Sequence, residues 1–418
     1  MEPGRRRGGI SLRNLKTFDS LKNSAYRFYF LGMVGHWGSM NMHMVTRSLL
    51  VYRLTGSAAL LGFMALANAI PQVTLSFFGG AIADRVPKKR VVQAGQIGLA
   101  VVAVSVAILL TTGYISPQHP GSWWVLIVDA VIQGTIMAFM MPARQALIPE
   151  IVGREQVMNA VALNSLGMGT LRFLAPAAAG FLIDTIGFEA VYYTKTGLYL
   201  SAVFFTSFIP TTSTTTVRGG SMLADIQGGL QYMWREPAIL AVLTLTLVTV
   251  VLSMPYMMLM PIFTEDILKV GATGLGVLMS LSGVGAMAGS LVLASLPNKK
   301  RGVMLLASSL VLGLGLAVFA FSGSWHLSLG LMVFIGLGQA GRQTLGSTLL
   351  QSYTDAAYLG RVMSINMMDM GLSSLGTFFA GLLAENIGAQ WAIGGFAMVL
   401  VLLMILTLIF IPRIRKLD

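Results

Sequence analysis

Cysteine is absent from the 418 residues. That excludes disulfides, thiolate nucleophiles and thiolate-held metals, while leaving the redox compartment open. Acidic residues are scarce: 16 Asp and Glu stand against 28 Lys and Arg, and the four charged types together reach only 11%. A soluble domain carries roughly 25%. Histidine occurs four times, with no HExxH or carboxylate-rich set to complete a metal site, and no GxGxxG or GxxxxGKS motif follows a strand. No metal and no cofactor are therefore expected. A nucleophile, base and oxyanion set cannot be assembled from the polar residues either, so the chain is not expected to be an enzyme.

What fills the chain instead is apolar: 55% hydrophobic residues, with a mean hydropathy of +0.75. The uncharged runs 60–78 and 91–110 each approach the roughly 20 residues a helix needs to cross a bilayer. Between them lies GGAIADRVPKKR, residues 79–90, a charged turn that must sit at a membrane surface; its Lys/Arg excess marks the cytoplasmic side. Continuing this reading gives further spans over 28–52, 123–147, 157–183, 192–209, 238–263, 271–296, 303–321, 327–350, 362–383 and 391–411. Twelve helices result. Of the 28 Lys and Arg, 23 fall in the termini and alternate loops on the cytoplasmic side, against Arg53, Lys195 and Lys269 outside and Arg47 and Arg172 within helices. The basic surplus is thus topology and not a nucleic-acid footprint.

The organisation expected is a cytoplasmic segment 1–27, a six-helix bundle 28–209, a cytoplasmic linker 210–237, a second bundle 238–412 and a basic tail 413–418. Both termini are cytoplasmic in this reading. Residues 11–22 and 222–234 suit amphipathic helices lying on the membrane face. Internal repeats support two halves. Arg144-Gln145 is matched by Arg342-Gln343, Gly153-Arg154 by Gly360-Arg361, and GFLIDTIG (180–187) by GLLAENIG (381–388), at offsets of 198, 207 and 201.

The loop residues Gly80, Asp84, Arg85, Lys88, Lys89 and Arg90 read GxxxDRxxKKR, which resembles the signature loop between helices 2 and 3 of the major facilitator superfamily. Pro87 replaces its usual second glycine. YRLTGSAALLGF (52–63), MPARQALIPE (141–150) and NAVALNS (159–165) resemble one branch of it, the enterobactin-exporter-like and macrolide-efflux-like permeases. The resemblance implies alternation of the halves around a midplane cavity. It also places Asp84 near the N-terminus of helix 11, making Gly80, Asp84, Arg85 and Arg90 a conformational latch that stabilises the outward-open state. The alternative is that these charges only set topology.

Charges inside the spans are costly unless water, a partner or substrate compensates. Asp129 and Arg172 lie in neighbouring predicted helices; paired, they form a proton-coupling site or a static salt bridge. The family has an arginine at the position of Arg172. Asp369 is the deep acid of the second half and a further proton-coupling candidate. His36, Met40, His43 and Arg47 share one stripe of helix 1, which is expected to face the cavity, core histidines being the alternative. Gln133, Asn164, Met168, Tyr256, Met257, Asn366 and Met370 complete the candidate substrate cavity. Its thioethers suit an adaptable apolar wall, and lipid-facing filler is the other explanation for the 27 methionines.

These readings converge on a secondary transporter of the bacterial plasma membrane: proton-coupled efflux of amphipathic organic compounds, drug-like or siderophore-like. Import or exchange of a small organic anion is the rival, and a non-transporting receptor or lipid-handling module is the reading from another class. The expected partners are a small organic substrate and membrane lipids, without nucleic acid or an obligate protein partner, the monomer being the working unit.

Overall fold

The computed structural model describes residues 20–119, 121–153, 155–210, 231–296, 299–355, 358–366 and 369–417, without the side chains of residues 77, 80–84, 364 and 370. Most of the predicted surface helix over 11–22 and most of that over 222–234 lie outside the described residues. So do the side chains of Asp84 and Met370.

Fifteen α-helices are present among the described residues. The first half runs α1 Ser24–Thr55, α2 Ala58–Arg85, α3 Lys88–Thr111, α4 Trp124–Val152, α5 Val157–Thr185 and α6 Phe188–Ser207. The second half runs α7 Pro237–Ser253, α8 Pro255–Ile262, α9 Gly271–Ser295, α10 Arg301–Ala320, α11 Trp325–Tyr353, α12 Leu359–Asn366, α13 Asp369–Ile387 and α14 Ala389–Phe410, ending in the short α15 Pro412–Arg415. Eight helical stretches among the described residues meet the length and apolarity needed to cross a membrane by composition alone. Helix α1 is not among them because His, Asn and Arg interrupt its run, yet it packs on α5 and α6 like the rest. The whole is an all-α membrane protein of twelve passes in two six-helix halves, with α7 and α8 forming one pass and α12 and α13 another.

The charged turn of residues 79–90 is shorter than its sequence suggests. Helix α2 continues to Arg85 and α3 starts at Lys88, because only Val86 and Pro87 are forced out of helical geometry: proline cannot donate within a helix and disfavours helix in the residue before it. The seventh pass breaks where expected. Pro255 follows the C-cap Met254, and beyond Pro261 the chain widens into a π turn, Phe263–Ile267. At the N-terminus of α1, Asn23 accepts from the N–H groups of Ala25 (3.0 Å) and Tyr26 (3.3 Å), while its Nδ2 donates to Ile151 O (3.1 Å). One side chain both caps α1 and fastens it to α4.

Packing repeats between halves. Helix α2 lies on α4 as α9 lies on α11, and α3 lies on α6 as α10 lies on α14. Glycine permits the closest approaches: a Cβ on Gly134 would fall 2.0 Å from Asn68 O, and one on Gly336 1.9 Å from Ser282 O. Small residues at helix crossings are how apolar bundles bring backbones together without a hydrophobic drive. The halves meet along two seams, α5 with α9 and α2 with α13. Helix α5 buries Ala175, Pro176, Ala179, Gly180 and Ile183 in its later part but only Ala160 and Leu163 in its earlier part. The α5 seam is therefore tight at the end opposite the basic loops and looser toward them.

Candidate functional site

A buried ionisable cluster occupies the core of the first half. His43 comes from α1, Asp129 from α4 and Lys195 from α6, exposed by only 5%, 2% and 1%. Lys195 Nζ lies 2.6 Å from His43 Nδ1, and His43 Nε2 lies 3.7 Å from Asp129 Oδ2. The ammonium has no lone pair, so it donates to a neutral Nδ1; the imidazole then carries its proton on Nε2, facing the carboxylate. Lys195 Nζ also stands 4.1 Å from the Tyr192 ring centroid, a cation–π contact strengthened by the burial of both residues. Arg47, one turn beyond His43, is within electrostatic range of Asp129. Among the described residues neither oxygen of Asp129 has a hydrogen-bond donor, so cations at slightly longer range balance its charge.

Three sequence expectations are corrected here. Lys195 is no outer loop residue but a buried member of the cluster. Its signal was available, since it falls one turn inside the predicted sixth span. Asp129 faces His43, Lys195 and Arg47 from within its own half, whereas Arg172 lines a cavity at the junction of the halves with Asn41, Met44, Tyr256, Met257 and Met332. That cavity measures ≈ 20 Å³, room for about one water. The α1 residues beside it are Asn41 and Met44, not the His36, Met40, His43 and Arg47 stripe. His36 is fully buried, its ring 5.9 Å from Tyr199 of α6, while Met40 is 45% exposed. The stripe points roughly 100° around the helix from the cavity, one residue step at 3.6 residues per turn.

A second ion pair lies in the other half. Arg342 of α11, buried, places Nη1 3.6 Å from Asp369 Oδ2 at the start of α13. The side chain of Asp369 is 25% exposed, so this pair is less deeply buried than the first, although Asp369 Oδ1 is itself buried. Asn366 carries a buried Oδ1 with no partner among the described residues, as does Asn164 in α5. Gln133 is half-buried one turn from Asp129, and Met168 is 45% exposed. Arg85 and Arg90 are exposed at the basic end, where Lys88 also pairs with Glu150 and Lys89 Nζ donates to Ser207 O (2.6 Å). The structure thus joins Arg172, Tyr256 and Met257 at one cavity, His43 and Asp129 in one cluster, and does not bring Asp129 to Arg172.

Two six-helix halves that enclose charged side chains, joined along two seams, define an integral membrane protein of transporter architecture. The sequence model of the Major Facilitator Superfamily matches residues 29–374 and 245–418, and the chain belongs to that family. It is 24% identical over 361 residues to the staphyloferrin A transporter of Staphylococcus aureus (strain NCTC 8325 / PS 47), covering 86% of this chain and 88% of that one. To the multidrug efflux pump Tap of Mycolicibacterium fortuitum it is 26% identical over 384 residues, covering 88% and 91%. The enterobactin exporter of Shigella boydii serotype 18 (strain CDC 3083-94 / BS512) is 24% identical over 404 residues, covering 92% and 90%. Solved structures share the fold. A nucleoside transporter superposes with a TM-score of 0.71 at 14% identity, covering 93% of this chain and 99% of that one. A D-xylose-proton symporter gives 0.70 at 13% identity, covering 96% and 99%.

Proposed function

We propose that the protein is a proton-coupled exporter of amphipathic organic compounds, working by alternating access in a bacterial cytoplasmic membrane with both termini inside. The observation that carries the coupling is the His43, Asp129 and Lys195 cluster. Three buried ionisable groups, joined by the Lys195–His43 hydrogen bond and by the charge of Asp129, depend on one another, so adding a proton to the imidazole or the carboxylate removes an attraction that positions α1, α4 and α6. Moving α1 moves Asn41 and Met44 at the cavity. The similarity to a multidrug pump and a siderophore exporter supports efflux. Arg172 among Tyr256, Met257 and Met332 supports a substrate with an apolar body and an anionic or polar group.

Arg342 and Asp369 form the second site where a proton competes with an ion pair. The family-type latch at Gly80, Asp84, Arg85 and Arg90 belongs to this proposal as the device that favours the outward-open state. The protein acts as a monomer in this reading, with lipid and substrate its only partners. The test is transport by inside-out vesicles under an imposed pH gradient. Asp129→Asn is expected to reduce gradient-driven uptake at least tenfold while leaving substrate exchange near the parent rate; equal loss of both activities refutes the coupling role.

A further inference from the structure

We propose that Asp184 and Glu385 are a matched pair of latches between the halves, holding the bundle closed at the end opposite the basic loops. Asp184 sits in the last turn of α5. Its Oδ2 accepts the backbone N–H of Thr273 at 2.7 Å, in the first turn of α9 across the seam. Glu385 sits in the last turn of α13 and reaches in the reverse sense across the other seam. Its Oε2 accepts from Ser57 Oγ and from the N–H of Ala59, each at 3.1 Å, at the start of α2. Each acid belongs to one half and each receiving helix to the other, so these hydrogen bonds exist only while this end is shut.

The two contacts are copies of one module. Gly180 precedes Asp184 by four residues and Gly381 precedes Glu385 by four; a Cβ there would fall 2.2 Å from Ala272 O and 2.6 Å from Ala58 O. Gly187 and Gly388 follow the acids by three and hold φ of +134° and +88°. A glycine at φ +64° marks the start of each receiving helix, Gly56 two residues before α2 and Gly271 as the first residue of α9. The glycines let the helices touch, and the touch sets a carboxylate on backbone donors that the helix itself leaves unpaired. Such bonds gain from the full charge of the acceptor. Arg53 adds a strut beside Asp184: its Nη2 is 2.8 Å from Glu265 Oε1 of the other half and 3.8 Å from Asp184 Oδ1. Tyr52 donates to Asp266 next to it. The module lies at the end opposite Asp84, so it and the loop latch favour opposite states.

The chain has no cysteine to remove, so spin labels can be placed directly. Tyr114→Cys with Leu327→Cys reports the latched end, both positions being exposed; Met158→Cys with Leu296→Cys, likewise exposed, reports the basic end. Pulsed dipolar distances are measured in Asp184→Ala, Glu385→Ala and the double variant, each checked for parent-like size-exclusion behaviour. Every acid removed is expected to raise the population open at the latched end about fivefold, the worth of one helix cap, and the double variant by about the product, with the basic end closing in step. Asp184→Asn, which keeps an acceptor oxygen, is expected to fall between parent and Asp184→Ala. Gly276→Phe serves as a wedge, because a Cβ there already meets Pro176 O at 2.3 Å. If the wedge opens the seam and the double alanine variant does not, the latch is refuted although alternation stands. If neither variant changes either distance, both the latch and alternating access are refuted.

Discussion

Lys195 Nζ and His43 Nδ1 lie 2.6 Å apart in the first-half core, and a separation that short leaves room for one proton on the line between them. The pair ties α6 to α1 and, through the far side of the imidazole, orients a proton donor toward Asp129 on α4.

Removing one member should therefore hurt more than removing two. Lys195→Met leaves Asp129 buried with less positive charge nearby and is expected to cost about 3 kcal/mol. Lys195→Met combined with Asp129→Asn should recover more than half of that. Thermal unfolding in detergent, run as a double-mutant cycle with both single variants, measures the coupling.

Arg172 and Arg47 should separate in their effect on substrate. Arg172 borders the junction cavity, whereas Arg47 does not line it and lies within electrostatic range of Asp129. Arg172→Gln is expected to weaken binding of an amphipathic anion about tenfold more than that of a matched cation, and Arg47→Gln to show no such preference. Competition binding with the two probes decides it; an anion-selective loss on Arg47→Gln would contradict the placement of that side chain.

Gly134 has no space for a side chain, since its Cβ would stand 2.0 Å from Asn68 O of α2. Gly134→Ala must push α2 and α4 apart and is expected to cost about 2 kcal/mol. Gly169, whose Cβ would meet nothing within 4 Å, is the control: Gly169→Ala should leave the unfolding temperature unchanged or higher, because alanine favours helix.

The end of α1 provides a milder test. Asn23→Ala removes the acceptor for Ala25 and Tyr26 and the donor to Ile151, and should cost about 1 kcal/mol. Asn23→Asp keeps the cap but not the donor, so it is expected to fall between the two in unfolding temperature.

The sequence by itself determined the class of the protein and its two-half architecture. Spans are written in composition, since a helix that must cross hydrocarbon needs a long uncharged run, and the charges between runs mark one side. The repeat of 180–187 in 381–388 was equally legible, although as a similarity without a purpose. Only the tertiary structure decided what those eight residues touch, because Thr273 and Ser57 lie in the opposite half and no spacing along the chain brings them to Asp184 and Glu385. It also decided the partner of Asp129. A helical stripe fixes which residues share a face but not which neighbour that face meets, so His43 and Lys195 could be joined to Asp129 only once α1, α4 and α6 were packed.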